Sequence, residues 1–266
     1  MKEVIVNSVS EYIDYFENHP NVRNYWFRGV ASPEYLPVPG LVWRKARRVE
    51  SALEHGFLTH YKSYITQNDL DSWEIYSLMQ HHGLPTRLLD WTESALVALF
   101  FALSSDPELD SDRIVWVLNP FELNEKSLGD ARLFCPSIIK DADSLKFNFE
   151  GQNIDINSYL SPNLKPELKV LCPDTPIAIN TPQHLRRVST QKGCFTVHGR
   201  GDQSIDQYFE YGDDFFAIRI KAGNNSKRES MLTTLEAMGI DEAYIYQDLD
   251  SLCKKLTRLW VNEENL

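Results

Sequence analysis

Residues 80–102 constrain the fold more than any other part of the chain. Gln80-His81-His82-Gly83-Leu84-Pro85-Thr86-Arg87-Leu88-Leu89-Asp90-Trp91-Thr92 runs without a break into the apolar segment from Glu93 to Ala102. Gly83 suits the left-handed residue that closes a helix, and Pro85 removes a backbone donor while pushing Leu84 out of the α region, so the preceding helix must stop here. Thr86 to Trp91 then reads as a short strand, with Arg87, Leu89 and Trp91 facing one way and Leu88 and Asp90 the other. Thr92 or Ser94 caps the next helix, whose interior from Ala95 to Ala102 is apolar on nearly every side and so must be buried.

Two readings of this stretch stay open. In one it is structural: Arg87 and Asp90 form an ion pair, Thr92 is a cap, and the two His residues are satisfied at a helix end. In the other it is a ligand site, which a second fragment favours. Tyr25-Trp26-Phe27-Arg28-Gly29 is an aromatic strand ending in one Arg and a Gly. An Arg in an aromatic frame can grip a phosphate or carboxylate with its fixed fork of donors, and glycine lets a ligand or a second backbone approach closely.

Along the chain, Ser8-Val9-Ser10-Glu11 is a capping box that opens a helix to about Asn18. Three prolines between Ala31 and Gly40 make an irregular loop. Trp43-Arg44-Lys45-Ala46-Arg47-Arg48 is the one dense basic run, followed by a predicted amphipathic helix over 50–65 with Leu53, Phe57, Leu58, Tyr61, Tyr64 and Ile65 buried. Asp71-Ser72-Trp73-Glu74 is a second box, opening the helix that ends at Gly83. Arg113 to Leu118 is a strand stopped by Asn119-Pro120. Residues 121–175 lack sustained periodicity and read as an irregular insertion with one or two short helices. Further strands are expected at 176–180, 191–198 and 215–220, the polar stretch from Gly199 to Asp214 reads as a loop, and Arg186-Arg187 follow a turn. The segment 222–266 reads as helix, strand and helix: Lys227 to Met238, Ala243 to Tyr246, and a last helix capped by Asp250 with Leu252, Leu256 and Leu259.

Phe27-Arg28-Gly29, the run from Gln80 to Thr92 leading into Val97-Ala98-Leu99-Phe100-Phe101-Ala102, and a weaker strand Gln191-Lys192-Gly193-Cys194-Phe195-Thr196 together resemble the FRG domain, a prokaryotic family named for its Phe-Arg-Gly motif. The likeness covers roughly residues 20 to 200 and implies a fold more than a function. The order of an Arg-bearing strand, helices, a strand with Thr, a buried helix and further strands more distantly resembles ADP-ribosyltransferase catalytic domains. That likeness implies an α+β fold, with one mixed or antiparallel sheet packed by helices; 266 residues with 42% apolar content fit a single domain over 1–266.

It also implies roles. Arg28 would orient NAD and Thr92 would supply the hydroxyl of the second strand. The late strand offers Gln191 where a carboxylate is expected, and an amide cannot supply the negative charge that an oxocarbenium-like transition state favours. Asp90 and Glu210 are the candidates for that carboxylate. The expected catalytic set is therefore Arg28, His81, Asp90, Thr92 and Glu210, and the expected ligand-binding set is Phe27, Arg28, Gly29, Gln80, Thr86, Arg87, Trp91 and Gln191. Three function classes follow: a transferase or glycohydrolase acting on NAD, as a toxin or phage-defence effector; a catalytically silent module sensing a nucleotide or another anion; and a hydrolase with His81 or His82 as general base. NAD is expected as substrate and not as a permanently bound cofactor.

Composition narrows the partners. A net charge of -11 argues against a bulk electrostatic grip on nucleic acid or an anionic membrane, leaving open a local contact through Arg44, Lys45, Arg47 and Arg48. Cys135, Cys172, Cys194 and Cys253 are far apart and suggest neither a zinc knuckle nor a disulfide framework, so no metal is expected. The N-terminus does not read as a signal peptide and the run around Leu96 is too short to span a bilayer, so the expectation is a cytoplasmic protein of unknown oligomeric state.

Overall fold

The computed structural model describes residues 2–19, 22–66, 69–182, 189–209 and 212–261. In its first half lie β1 (Lys2–Val6), α1 (Val9–Glu17), β2 (Trp26–Val30), α2 (Gly40–Trp43), α3 (Glu50–His60), α4 (Ser72–His81), β3 (Leu88–Thr92), α5 (Ala95–Ser104) and β4 (Arg113–Leu118). There follow α6 (Pro120–Leu128), β5 (Lys146–Phe149), β6 (Gln152–Asp155), β7 (Ile177–Ile179), β8 (Gly193–Val197), β9 (Phe215–Ile220), α7 (Asn225–Ala237), α8 (Glu242–Tyr246) and α9 (Leu249–Trp260). The fold is α+β.

Side-chain caps set the helix starts. Ser8 accepts from the Glu11 amide, Asp71 and Glu74 form a reciprocal box, and Ser94 accepts from the Val97 amide. Asn119 accepts from the amides of Phe121 and Glu122, so Pro120 opens α6 at the position where its missing N–H costs nothing. Gly83, at φ 80°, ends α4 as its position before Pro85 requires.

Seven strands form one mixed sheet in the order β1-β9-β4-β2-β3-β8-β7, with β1 parallel to β9 and the other pairs antiparallel. One face of the β1-β9-β4-β2 half is covered by α1, α5 and α7 through Tyr12, Phe27, Val97, Phe100, Val115, Phe216, Ile218 and Met231. Further along that face, α4 and the 121–175 segment cover β3, β8 and β7 through Trp73, Tyr76, Leu88, Tyr159, Ile177 and Phe195. The opposite face carries Trp26, Leu89, Trp91, Trp116 and Phe215. Leu88 therefore faces one cluster while Leu89 and Trp91 face another, as alternation along the strand predicts.

Gly29 fixes the layer spacing. A Cβ built on it would lie 1.8 Å from the Ala98 carbonyl oxygen and 2.6 Å from the Ala102 nitrogen, both backbone atoms of α5. The bare face of this glycine is thus filled by a helix backbone and offers no room to a ligand, which corrects its expected place in the binding set.

Several expectations fail for definable reasons. Ala243 to Tyr246 is the helix α8 and not a strand, because Asp241 accepts from the Tyr244 amide and starts a helical turn. The cap of α9 is Asp248, which accepts from the Ser251 amide, and not Asp250. The helix over 50–65 ends at His60 and buries Glu50 and Glu54, leaving Tyr64 84% exposed. β1 went unpredicted because five residues of which only Val6 is fully buried carry little periodic signal. The 121–175 segment contains the hairpin β5-β6 besides α6.

Glycine-to-alanine exchanges at two positions should have opposite signs. Gly29→Ala must lift α5 from the sheet and should cost about 3 kcal/mol or more. Gly56→Ala, inside α3 with nothing within 4 Å of the new Cβ, should stabilise by about 0.5–1 kcal/mol. Urea titrations of the two variants check both signs.

Candidate functional site

Between β2 and β3 the sheet opens. β2 pairs with β4 at five positions and β3 pairs with β8 at five, yet β2 and β3 meet only at Phe27 and Thr92. Past that pair the strands diverge, and the Asp90 carbonyl takes its hydrogen bond from a side chain: Arg28 Nη1 donates to it at 2.8 Å. Residues opposite each other across antiparallel strands share a face, so Arg28 leaves the sheet beside Trp116, while Asp90, two residues from Thr92, lies on the face of Phe27. The opening is therefore bridged by the guanidinium and flanked on its other face by the exposed Asp90 carboxylate.

Arg28 is half-buried, and its bond to the Asp90 carbonyl is the one it makes. Its Nε is buried without a partner, and no carboxylate among the described residues pairs with it. Desolvation holds its pKa below the ordinary arginine value, partly opposed by the Asp90 charge. The guanidinium stays protonated all the same. Nη1 is thus engaged and Nε is closed off, which leaves Nη2 as the donor group of Arg28 without a bond among the described residues.

Asp90 is held by a directed relay. The Leu88 amide donates to Thr86 Oγ1 at 3.0 Å, which leaves the Thr86 hydroxyl proton to donate to Gln80 Oε1 at 2.6 Å. That fixes the orientation of the Gln80 amide, and its Nε2 donates to Asp90 Oδ2 at 2.6 Å. The structure thus brings together Arg28, Gln80, Thr86 and Asp90, four of the residues singled out from sequence.

The others are placed elsewhere. Phe27 is a core residue beneath α1 and α5. Trp91 is 3% exposed and donates its indole N–H to Thr196 Oγ1 at 3.0 Å. Both are framework residues, which corrects their assignment to ligand contact. The Thr92 hydroxyl donates to the Gln191 carbonyl at 2.6 Å and accepts from the Ser94 amide at 3.0 Å, so backbone groups occupy it on both sides. The Gln191 amide donates to the Ile245 carbonyl at 3.2 Å. His81 and His82 meet edge to face at 5.0 Å at the end of α4. Glu210 and Arg186-Arg187 lie outside the described residues. Of the basic run, Arg44, Lys45 and Arg48 are exposed, but Arg47 is tied to Asp202 and to the carbonyls of Gly199 and Gly201. Among the described residues no group of three or more His, Cys, Asp or Glu could hold a metal ion. No helix among them is long and apolar enough to cross a membrane.

Arg87 does form an ion pair, but with Glu50 and not with Asp90. Its Nε and Nη2 donate to the two Glu50 oxygens at 2.6 and 2.7 Å, and its Nη1 approaches Cys172 Sγ at 3.6 Å. One turn along α3, Glu54 is 3% exposed, accepts from Ser161 and Asn163 with Oε2, and leaves Oε1 buried without a partner. Burial pushes the Glu54 carboxyl up from its ordinary value, and the neighbouring Glu50 charge adds to this. Apolar periodicity through Phe57 and Leu58 marks the buried side of α3 and gives no sign of this cluster. The spacing of Glu50 and Glu54 by four residues was the signal available. His198 was missed too: it is fully buried, and desolvation pushes its pKa down to about 4, so it is neutral at ordinary pH.

The model of the FRG domain family matches residues 23–111. The chain carries an FRG domain. The matched segment contains β2 and β3 with the Phe27-Arg28-Gly29 and Gln80 to Thr92 motifs, hence the opening and every residue of the relay, while β8 falls outside it. No curated protein and no solved structure matches the chain.

Two variants test the buried cluster. Arg87→Met leaves Glu50 buried and unpaired and should cost about 3 kcal/mol in urea unfolding. Glu54→Gln imitates the protonated carboxyl. Because the folded carboxyl titrates above the unfolded one, the stability contributed by Glu54 is present below its unfolded value and is lost as pH rises through the folded value. The glutamine variant should therefore be more stable than the parent at pH about 8 and lose that advantage near pH about 4, the unfolded Glu range.

Proposed function

We propose that the FRG domain binds an anionic nucleotide at the opening between β2 and β3, with NAD or a related nucleotide as ligand, and acts on it as an ADP-ribosyltransferase-like or NAD-cleaving enzyme. The observation that carries the reading is the Arg28 guanidinium, half-buried, unpaired with any described carboxylate and held by one carbonyl bond through Nη1. A phosphate at Nη2 would gain a charge-assisted bond and relieve the desolvated charge. Asp90, held by Gln80, keeps one oxygen outside the relay and brings negative charge to the same opening. When the bond between nicotinamide and ribose C1′ breaks, its electron pair leaves with nicotinamide and positive charge develops at C1′. A carboxylate nearby stabilises that charge, and water or an acceptor nucleophile then forms the new bond to C1′ and releases its proton. An enzyme that consumes NAD in this way suits a toxin or phage-defence effector.

A catalytically silent nucleotide sensor is the second reading. It is favoured by the Thr92 hydroxyl and the Gln191 amide, both committed to backbone carbonyls.

Calorimetry with NAD, ADP-ribose and ATP, beside an assay for released nicotinamide, separates the two. Arg28→Ala should weaken NAD binding by more than tenfold, since each charge-assisted bond contributes about 1.5–3 kcal/mol. Arg28→Lys should restore it only in part, for want of the planar fork. Asp90→Asn should abolish nicotinamide release and leave binding largely intact. Binding without turnover in the parent protein selects the sensor, and absence of binding to all three nucleotides at millimolar concentration overturns both.

A further inference from the structure

The last described helix is mounted back to front. Successive residues of an α-helix are about 100° apart, so Ser251, Lys255 and Arg258 lie on one face of α9. That face holds the helix to the body: Ser251 is buried, Lys255 pairs with Asp241 at 2.6 Å, and Arg258 pairs with Glu236 at 3.1 Å and Glu242 at 3.2 Å. On the opposite face Leu249, Leu252, Leu256 and Trp260 follow at spacings of three and four, and they are 76, 41, 46 and 75% exposed. Cys253 lies exposed within the same stripe. An amphipathic helix on a globular body ordinarily turns its apolar stripe inward. Here ion pairs occupy the inner side and the leucines face out.

We propose that this outward face of α9 is the surface through which two copies of the chain pair. With Val261, itself 57% exposed, the stripe presents on the order of 500 Å² of apolar surface, at the upper end of what a monomer leaves bare. With its polar rim it approaches the roughly 800 Å² that each partner contributes to a specific interface. Pairing across a two-fold axis requires only that the patch complement itself. An antiparallel arrangement does so: Leu249 of one copy meets Trp260 of the other, Cys253 meets Leu256, and the helix dipoles oppose. The charges disfavour an anionic membrane as the occupant. Lys255 and Arg258 are already neutralised by Asp241, Glu236 and Glu242, and the whole chain carries -11.

Sedimentation equilibrium of the full chain at micromolar concentration should give a dimer. Leu256→Asp removes no core contact, because its site is exposed, and should weaken dimerisation at least a hundredfold with an unchanged circular dichroism spectrum. Ile138→Asp, at a residue 68% exposed on the 121–175 segment, should leave the dimer intact. Cys253 is the exposed cysteine of the chain, so a short bismaleimide should link two copies through it, and Cys253→Ser should abolish the link while preserving the dimer. A monomeric parent protein overturns the proposal, as does a dimer indifferent to Leu256→Asp. Binding of a monomer to phosphatidylserine vesicles, lost in Leu256→Asp, would overturn it in favour of a membrane.

Discussion

The contact between Gly29 and the backbone of α5 sets the geometry on which the rest depends. A helix can approach a strand this closely only where the strand has no Cβ, and the Ala98 and Ala102 positions on the helix are equally small. With α5 pressed against β2, the short link Glu93-Ser94 must return the chain from β3 beneath the same helix. β3 is thereby held at Thr92 and free to diverge before it. The opening that exposes the Asp90 carbonyl to Arg28 is in this sense a consequence of helix packing: the glycine of the Phe-Arg-Gly motif places the helix, and the arginine occupies the space that results.

Much of this was legible in the sequence because it rests on local chemistry. The capping residues Ser8, Asp71 and Ser94, the stop at Gly83 and Pro85, and the alternation from Leu88 to Trp91 each depend on neighbours within a few positions, and each forms as expected. The misreadings depend on distant partners. Glu50 is buried because Arg87, 37 residues later, meets it with two bonds, and no periodicity along α3 encodes that. Ala243 to Tyr246 carries strand-forming residues, yet the cap at Asp241, itself fixed by Lys255, outweighs them. Within the site, the side-chain types were readable, while their division between relay and framework was not. Trp91 and Asp90 are adjacent, and strand alternation sends one into the core and the other to solvent.

The two arginines of the motifs show how one side chain serves opposite ends. Arg87 is bidentate to Glu50, and the pair closes α3 onto the start of β3. A buried ion pair of this kind contributes little net stability over an apolar substitute but punishes loss of either member, so it specifies an arrangement more than it strengthens one. Beside this pair, burial favours the protonated form of Glu54; the Glu50 charge adds to that, and the Arg87 cation opposes it only in part.

Arg28 is best judged against the other buried arginines. Arg113 is fully buried and has no ion pair among the described residues, but Nη1 donates to the carbonyls of Ala31 and Ser105 and Nη2 to those of Asp106 and Leu109, four acceptors that share its charge. Arg228 meets the Pro107 carbonyl and Glu229. Each ties the loop after α5 to the body, and each is a structural element in full. All three leave Nε buried without a partner, so the difference lies at the terminal nitrogens: Arg28 has one carbonyl on Nη1 and no acceptor on Nη2 among the described residues. A guanidinium so placed costs folding energy that an apolar residue would not, because desolvation is incurred and only partly offset. On the proposed reading an anionic ligand at Nη2 would supply the compensation that no described residue gives, and its affinity would reflect how far the guanidinium is already oriented before the ligand arrives.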